Sequence, residues 1–199
     1  MTGDLFPSVG HDAGGKTRRR WPDDCRVAAV FDGANDCYRT ILSVTWDESA
    51  PAVLWVMMNP SVATVEYADP TLIKTLGFTR RWVSKQGRGY GRMLIGNIHA
   101  YRATDNRRLM DVADPVGPSN DTALLHMAQN SEIVVLAYGL PPMPLRARGM
   151  QVAFMLKTAG ADLRVMKLTA DGTPSHPLYL PHDTKPVPFD PFTVAMDAT

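Results

Sequence analysis

The chain has 199 residues, 45% of them hydrophobic and 21% charged, with a formal net charge of +1. That is the profile of a globular domain with a full-sized core; its apolar runs are too short to span a bilayer, and its N-terminus lacks the apolar stretch of a signal peptide. Two cysteines, Cys25 and Cys37, suit a reducing cytoplasm and are too few for a four-cysteine iron–sulfur cluster or a cysteine-built zinc site.

Residues 1–20 are rich in Gly, Asp and basic side chains without an apolar period, which predicts a mobile basic tail ahead of one α/β domain over 21–199. "CRVAAVFD" and "YRTILSVTWD", joined by the turn-forming "GAND", predict an antiparallel hairpin. After Pro51 the pattern changes. "AVLWVMM" is a continuous apolar run, as in a strand buried on both faces of a parallel sheet. "DPTLIKTLGFTRRWVSKQG" predicts a helix capped by Asp69, with Pro70 in its first turn and Gly87 beyond its end. "RMLIGNIHAY", "EIVVLAYG" and "LRVMKL" predict three further strands. Helices "NDTALLHMAQN", capped by Asn120 or Asp121, and "LRARGMQVAFMLKTAG" separate them. The Pro-rich remainder is expected to wrap the surface.

The order is therefore a hairpin followed by β-α-β-α-β-α-β, which argues for a parallel sheet with helices on both faces. Ligands of such sheets bind beyond the carboxyl ends of the strands. The segments expected there are "NPS", "NIHAYRATDNRR", "AYG" and "LTADGTPSHPLYLP". They contribute Asn59, Pro60, Ser61, Asn97, Arg102, Tyr138, Ser175 and His176, with Asp69 close behind Ser61. Asn59 has two readings: an Asn-Pro turn starter whose amide satisfies the local backbone, or a neutral group that orients a water. Arg102 either pairs with Asp69 or Asp105 or holds a phosphate in bidentate fashion. His176 lies between Pro174 and Pro177, which stiffen a group that must donate in one direction. His126, among Leu124, Leu125 and Met127, reads as an ordinary helix residue.

No Walker loop, dinucleotide fingerprint, serine elbow or metal-type histidine spacing is present, so neither a cofactor nor a metal is expected. "GRGYGR" precedes a strand and reads as a connection. Arginines cluster at Arg80 and Arg81, with Lys85, Arg88 and Arg92 nearby, and again at Arg102, Arg107 and Arg108. Such clusters suit phosphate and equally suit solvated helix faces. On the first reading Arg80, Arg81, Arg107 and Arg108 contact nucleic acid. Tyr67, Tyr101, Tyr138 and Tyr179 are candidates to stack on bases, and mid-strand Trp55 reads as core.

The motifs "MNPS…ADPT…GFTRRW", "NIHAYRATD", "ADPVGPSNDTALL" and "LTADGTPSHPLYLP" closely resemble the domain of unknown function 1643 family. More distantly, the order of strand-end motifs is similar to the uracil-DNA glycosylase superfamily. That resemblance implies a three-layer sandwich around a four-stranded parallel sheet, here with an added N-terminal hairpin. It also implies N-glycosidic cleavage or remodelling of a base in DNA, with DNA or a nucleotide as partner. Asn59 falls on the position that holds the attacking water, Asn97, Arg102, Asn106 and Arg107 on an Asn…Arg…Asn-Arg motif, and His176-Pro177 on the final His-Pro. The departures are Met57-Met58 where the first motif carries glycine, no acid in place of Asn59, and a serine before rather than after His176-Pro177. A non-catalytic nucleic-acid- or nucleotide-binding module of the same fold is the alternative.

Overall fold

A computed structural model describes residues 18–61 and 63–196. In chain order the elements are β1 (Arg19–Arg20), β2 (Arg26–Asp32), β3 (Tyr38–Thr45), β4 (Ala52–Met57), β5 (Tyr67–Ala68), α1 (Pro70–Arg81), β6 (Arg92–Asn97), α2 (Asn120–Gln129), β7 (Ile133–Leu136), α3 (Arg146–Thr158), β8 (Leu163–Val165), β9 (Val187–Pro188) and α4 (Pro191–Met196). Seven strands form one sheet in the order β2-β3-β6-β4-β7-β8-β9. The central strands β6, β4, β7 and β8 run parallel, and the hairpin β2–β3 and the short β9 add antiparallel edges. The fold is mixed α/β with a parallel centre, as the strand and helix order predicted.

β4 is the axis. All six of its residues are buried, and it pairs with β6 from Ala52↔Arg92 to Met57↔Asn97 and with β7 from Val53↔Ile133 to Val56↔Leu136. Its alternation divides the core. Val53, Trp55 and Met57 face α1 with Leu72, Leu76, Phe78 and Trp82. Leu54 and Val56 face α2 and α3 with Leu124, Met127, Val152 and Leu156. The indole of Trp55 stacks on Trp82 at 5.3 Å between ring centroids and lies 6.2 Å from Phe78.

α1 begins where the sequence says. Asp69 is its N-cap and accepts a hydrogen bond from Leu72 N at 2.9 Å, with Pro70 in the first turn. It ends at Arg81 rather than near Gly87, because Trp82 turns into the core and Val83 bridges to Gly89. α2 departs from expectation at its start. Ser119 holds the N-cap position without a side-chain cap, and Asn120 instead donates sideways to Asn97 O at 2.9 Å. The final segment is more structured than a surface wrap, with β9 on the sheet and α4 laying Phe192 against Phe154. Of the tail expected over residues 1–20, residues 1–17 lie outside the described residues. Arg19 and Arg20, at its end, pair antiparallel with Ala68 and Tyr67.

The aromatic stack hides one polar link. Trp55 Nε1 donates to Thr79 Oγ1 at 3.0 Å, and the Thr79 hydroxyl donates onward to Thr75 O at 2.8 Å, all of it buried. Thr79→Val keeps the shape and strands the indole N–H without a partner. Unfolding in urea should show a loss of about 1–3 kcal/mol, the cost of an unsatisfied buried donor. An unchanged midpoint would show that the indole finds another acceptor.

Candidate functional site

The parallel strands end together. Ile98 N donates to Met57 O at 2.8 Å, His99 N to Met58 O at 3.0 Å and Ala103 N to Pro60 O at 3.1 Å, so the loops after β4 and β6 run side by side. Asn59 ties them further. Its Nδ2 donates to Pro60 O at 3.1 Å and to Ala103 O at 2.7 Å. The amide nitrogen thus does what the turn-starter reading asks. Among the described residues no donor reaches Asn59 Oδ1, which keeps its acceptor capacity.

Beyond Pro60 the loop folds back onto α1. Ser61 Oγ donates to Asp69 Oδ2 at 2.5 Å while Asp69 Oδ1 caps the helix. One carboxylate therefore fixes both the loop and the start of α1. Its charge is also felt by two neighbours. His176 is half-buried, and burial lowers its pKa below the ordinary histidine value while Asp69 opposes that shift. Arg39 is 3% exposed, and burial takes its guanidinium down to about 10, with Asp69 again stabilising the charge and Arg102 opposing it. Arg39 remains a cation at neutral pH.

Arg39 was not among the residues expected at the site. Strict alternation along β3 would set it beside Ile41 and Ser43. The register slips, however: Val30 pairs with Ile41 and Phe31 with Arg39, so Thr40 is an extra residue in β3. Such a bulge re-aims the side chains beyond it. The guanidinium is carried inward, where Nη1 donates to Ala63 O at 3.0 Å and Nε is buried with no partner among the described residues. An extra residue in one strand leaves no mark in "YRTILSVT" itself.

The last segment approaches from the other side. Gly139 N donates to Pro174 O at 3.0 Å, and Ser175 N donates to Lys167 O at 2.8 Å. Gly139 has φ +65°, and a Cβ there would meet His176 Cβ at 3.2 Å, so this approach requires glycine. His176 Nδ1 accepts from Leu178 N at 3.4 Å, which leaves Nε2 to carry the proton of the neutral ring. Lys74 Nζ holds Leu178 O at 2.6 Å and anchors the segment on the first half of α1.

Asn59, Pro60, Ser61, Asp69 and His176, with Ser175 beside it, thus belong to one neighbourhood at the carboxyl edge of the sheet. Asn97 adjoins it as the ladder partner of Met57; it is 2% exposed and its Oδ1 has no partner among the described residues. Arg102 is at the rim. It is exposed, donates to Asp36 O at 3.0 Å and lies 5.0 Å above the Phe31 ring. Tyr138 turns to the opposite face, where its ring occupies the space over Gly149 of α3; a Cβ at Gly149 would lie 2.6 Å from that ring. Arg107 pairs with Asp105 at 2.7 Å, and Arg108 is exposed in the same loop. Arg80 and Arg81 lie at the far end of α1, about 18 Å from Asp69 by helix rise, and Arg80 is bound to Asp24 at 2.9 Å. The four arginines do not form one patch.

Behind the loops on the α2 side lies a second polar group that the sequence did not announce. Among the described residues His99 Nδ1 and Asn120 Oδ1 are buried without partners, and Arg148 Nε donates to Ile98 O at 3.0 Å while its Nη2 pairs with Asp121. Burial, with Arg148 adding to it, takes His99 down to about 4. Its folded pKa is depressed, so its stabilising effect is complete above the unfolded value of about 6.5 and is lost as pH falls towards 4. Melting temperature should drop across that window, and His99→Gln should flatten the drop. An equal pH dependence in both proteins would move its origin elsewhere.

Among the described residues no group of three or more His, Cys, Asp and Glu side chains is placed to hold a metal ion, and no helix is long and apolar enough to cross a membrane. Comparison with known proteins found no match among curated proteins or solved structures. A family described as a protein of unknown function (DUF1643) matches residues 39–178, from the buried Arg39 of β3 to the His176-Pro177 turn. The matched span covers most of the chain and all of the carboxyl-edge neighbourhood, and the chain belongs to the DUF1643 family.

Proposed function

We propose that the carboxyl-edge neighbourhood acts on a nucleobase or modified base in DNA, cleaving or remodelling it in the manner of a glycosylase. The observation that carries this reading is the convergence of Asn59, the Ser61–Asp69 pair, Arg39 and His176 beyond the tips of the parallel strands. Breaking an N-glycosidic bond builds positive charge on the sugar and negative charge on the departing base. A preorganised acceptor for water and a donor to the base lower that barrier without a strong base. Asn59 Oδ1 is the open acceptor, held in place by its own Nδ2. His176 Nε2 is the donor, and its depressed pKa keeps the ring neutral at pH 7. Asp69 stabilises positive charge, and the buried Arg39 guanidinium holds the Ala63 carbonyl of the loop that leads from Ser61 to Asp69. A base in a duplex must first be extruded at a cost of a few kcal/mol, which phosphate contacts and the 83% exposed Tyr179, 5.9 Å from the His176 ring, help to offset.

One observation favours binding without chemistry. Asp69, the acid nearest the site's polar groups, is occupied by the helix cap and Ser61. On that reading the same groups recognise a nucleotide and release it unchanged. Abasic-site formation on oligonucleotides carrying modified and mismatched bases separates the two.

Asn59→Ala removes two hydrogen bonds to backbone carbonyls and should cost about 1–3 kcal/mol of stability. Base release per folded molecule should fall on the order of a hundredfold, as when a preorganised polar group is deleted. Normal release from a destabilised variant would reduce Asn59 to a turn residue.

DNA binding should weaken with salt, and the arginines should carry the slope. Replacing Arg107 and Arg108 by Ala should flatten log K against log salt by about one unit for each phosphate that is no longer neutralised. The Arg80 and Arg81 pair, replaced separately, reports whether DNA also runs along α1. A slope unchanged in both variants would leave these arginines as solvated surface.

A further inference from the structure

An open cavity lies at the opposite end of α1. It measures about 370 Å³ between the end of that helix, the starts of β6 and β7, and the segment leading into β9. This is within the range of small-molecule sites, which begin at about 300 Å³. The Asp69 cap stands a helix length away, so the cavity is separate from the carboxyl-edge neighbourhood.

Its lining has a definite chemistry. Trp82, Ile133 and Pro186 supply an apolar wall. Four cations surround it: Arg81, Lys85, Arg164 and Lys185. Two are paired with Asp162, which binds Lys85 Nζ at 2.9 Å and both Nε and Nη2 of Arg164 at 2.8 and 2.9 Å. The other two are not. Among the described residues Arg81 meets no carboxylate, only the Phe78 ring at 5.5 Å and His182 Nδ1 at 3.5 Å, and Lys185 has no partner. Ser84 is an independent sign. It is 6% exposed, it lines the cavity, and its Oγ makes no hydrogen bond among the described residues. A hydroxyl taken out of water without a partner is costly, and native proteins rarely leave one so. Glu132 does not bond it either: its Oε1 accepts from Lys85 N and Tyr90 OH, each at 2.8 Å, and its Oε2 is buried with no partner among the described residues.

We propose that this cavity binds a small organic anion with an apolar body. The anionic head lies between Arg81 and Lys185, the body rests on Trp82 and Ile133, and the Ser84 hydroxyl bonds a polar atom of the ligand. The cations set by Asp162 are structural and hold the floor. This assignment is independent of any chemistry at the carboxyl edge.

Phenyl phosphate is a suitable probe, since it joins an anionic head to a flat apolar body. Titration calorimetry on the full chain should show one saturable site, at least tenfold tighter than for inorganic phosphate, with phenol weaker still. The exposed pair Arg81→Glu and Lys185→Glu together should weaken phenyl phosphate at least tenfold at an unchanged melting temperature. Ser84→Ala should weaken it severalfold, and Arg39→Ala should not alter it. The proposal fails if phenyl phosphate binds no tighter than phosphate, or if the double variant binds as the wild type does. It fails equally if Arg39→Ala, at an unchanged melting temperature, abolishes binding, since that would place the anion at the carboxyl edge.

Discussion

β4 is buried on both faces and hydrogen-bonded along both edges, and this constraint orders the rest of the molecule. A strand so enclosed can carry no polar side chain along its length without an unsatisfied cost. Polar chemistry is therefore pushed to its two ends. At the carboxyl end the chain turns through Met58 and Asn59 into a loop that must satisfy its own backbone, and Asn59 does so by bridging to Ala103. At the amino end the neighbours of β4 start beside Tyr90 and Glu132, with Asp162 at the start of β8 beyond them, and a charged cavity forms there. The two polar regions are consequences of one apolar strand.

α1 connects these regions. Its N-cap carboxylate organises Ser61 and acts on Arg39 and His176, and its last turn presents Arg80 and Arg81. Arginines in a last turn complement the helix dipole. Arg80 serves that end through Asp24 and the Trp46 ring, at 5.1 Å, whereas Arg81 lines the cavity. Two adjacent arginines that look alike in the sequence thus have different surroundings.

Much of this was legible. The run "AVLWVMM" had to be a doubly buried strand because nothing in it tolerates water. Asp69-Pro70 had to open a helix because a carboxylate and a fixed φ suit a first turn. Strand-end placement of Asn59 and His176 followed from the alternation of strands and helices. The end of α1 was harder to read, since "WVSKQG" keeps a helical composition while Trp82 is drawn into the aromatic stack. β9 and α4 were missed because they are short and sit among prolines, where periodicity has no room to develop.

The sequence by itself determined what depends on neighbours within a few residues: the hairpin, the four parallel strands and the three long helices, where α1 starts, and that the strand tips carry amides, a histidine and arginines. Tertiary structure alone decided what depends on distant partners. The Thr40 bulge turned Arg39 inward, Asn120 became a brace for Asn97 instead of a cap, and Tyr138 was drawn to the face opposite Asp69. Asp162 paired with both Lys85 and Arg164, and among the described residues Arg81 and Lys185 were left without a carboxylate. The physical reason is one of range. Propensity and capping act along a few residues of chain, whereas burial and charge pairing are set by whichever groups the folded sheet brings within a few ångströms.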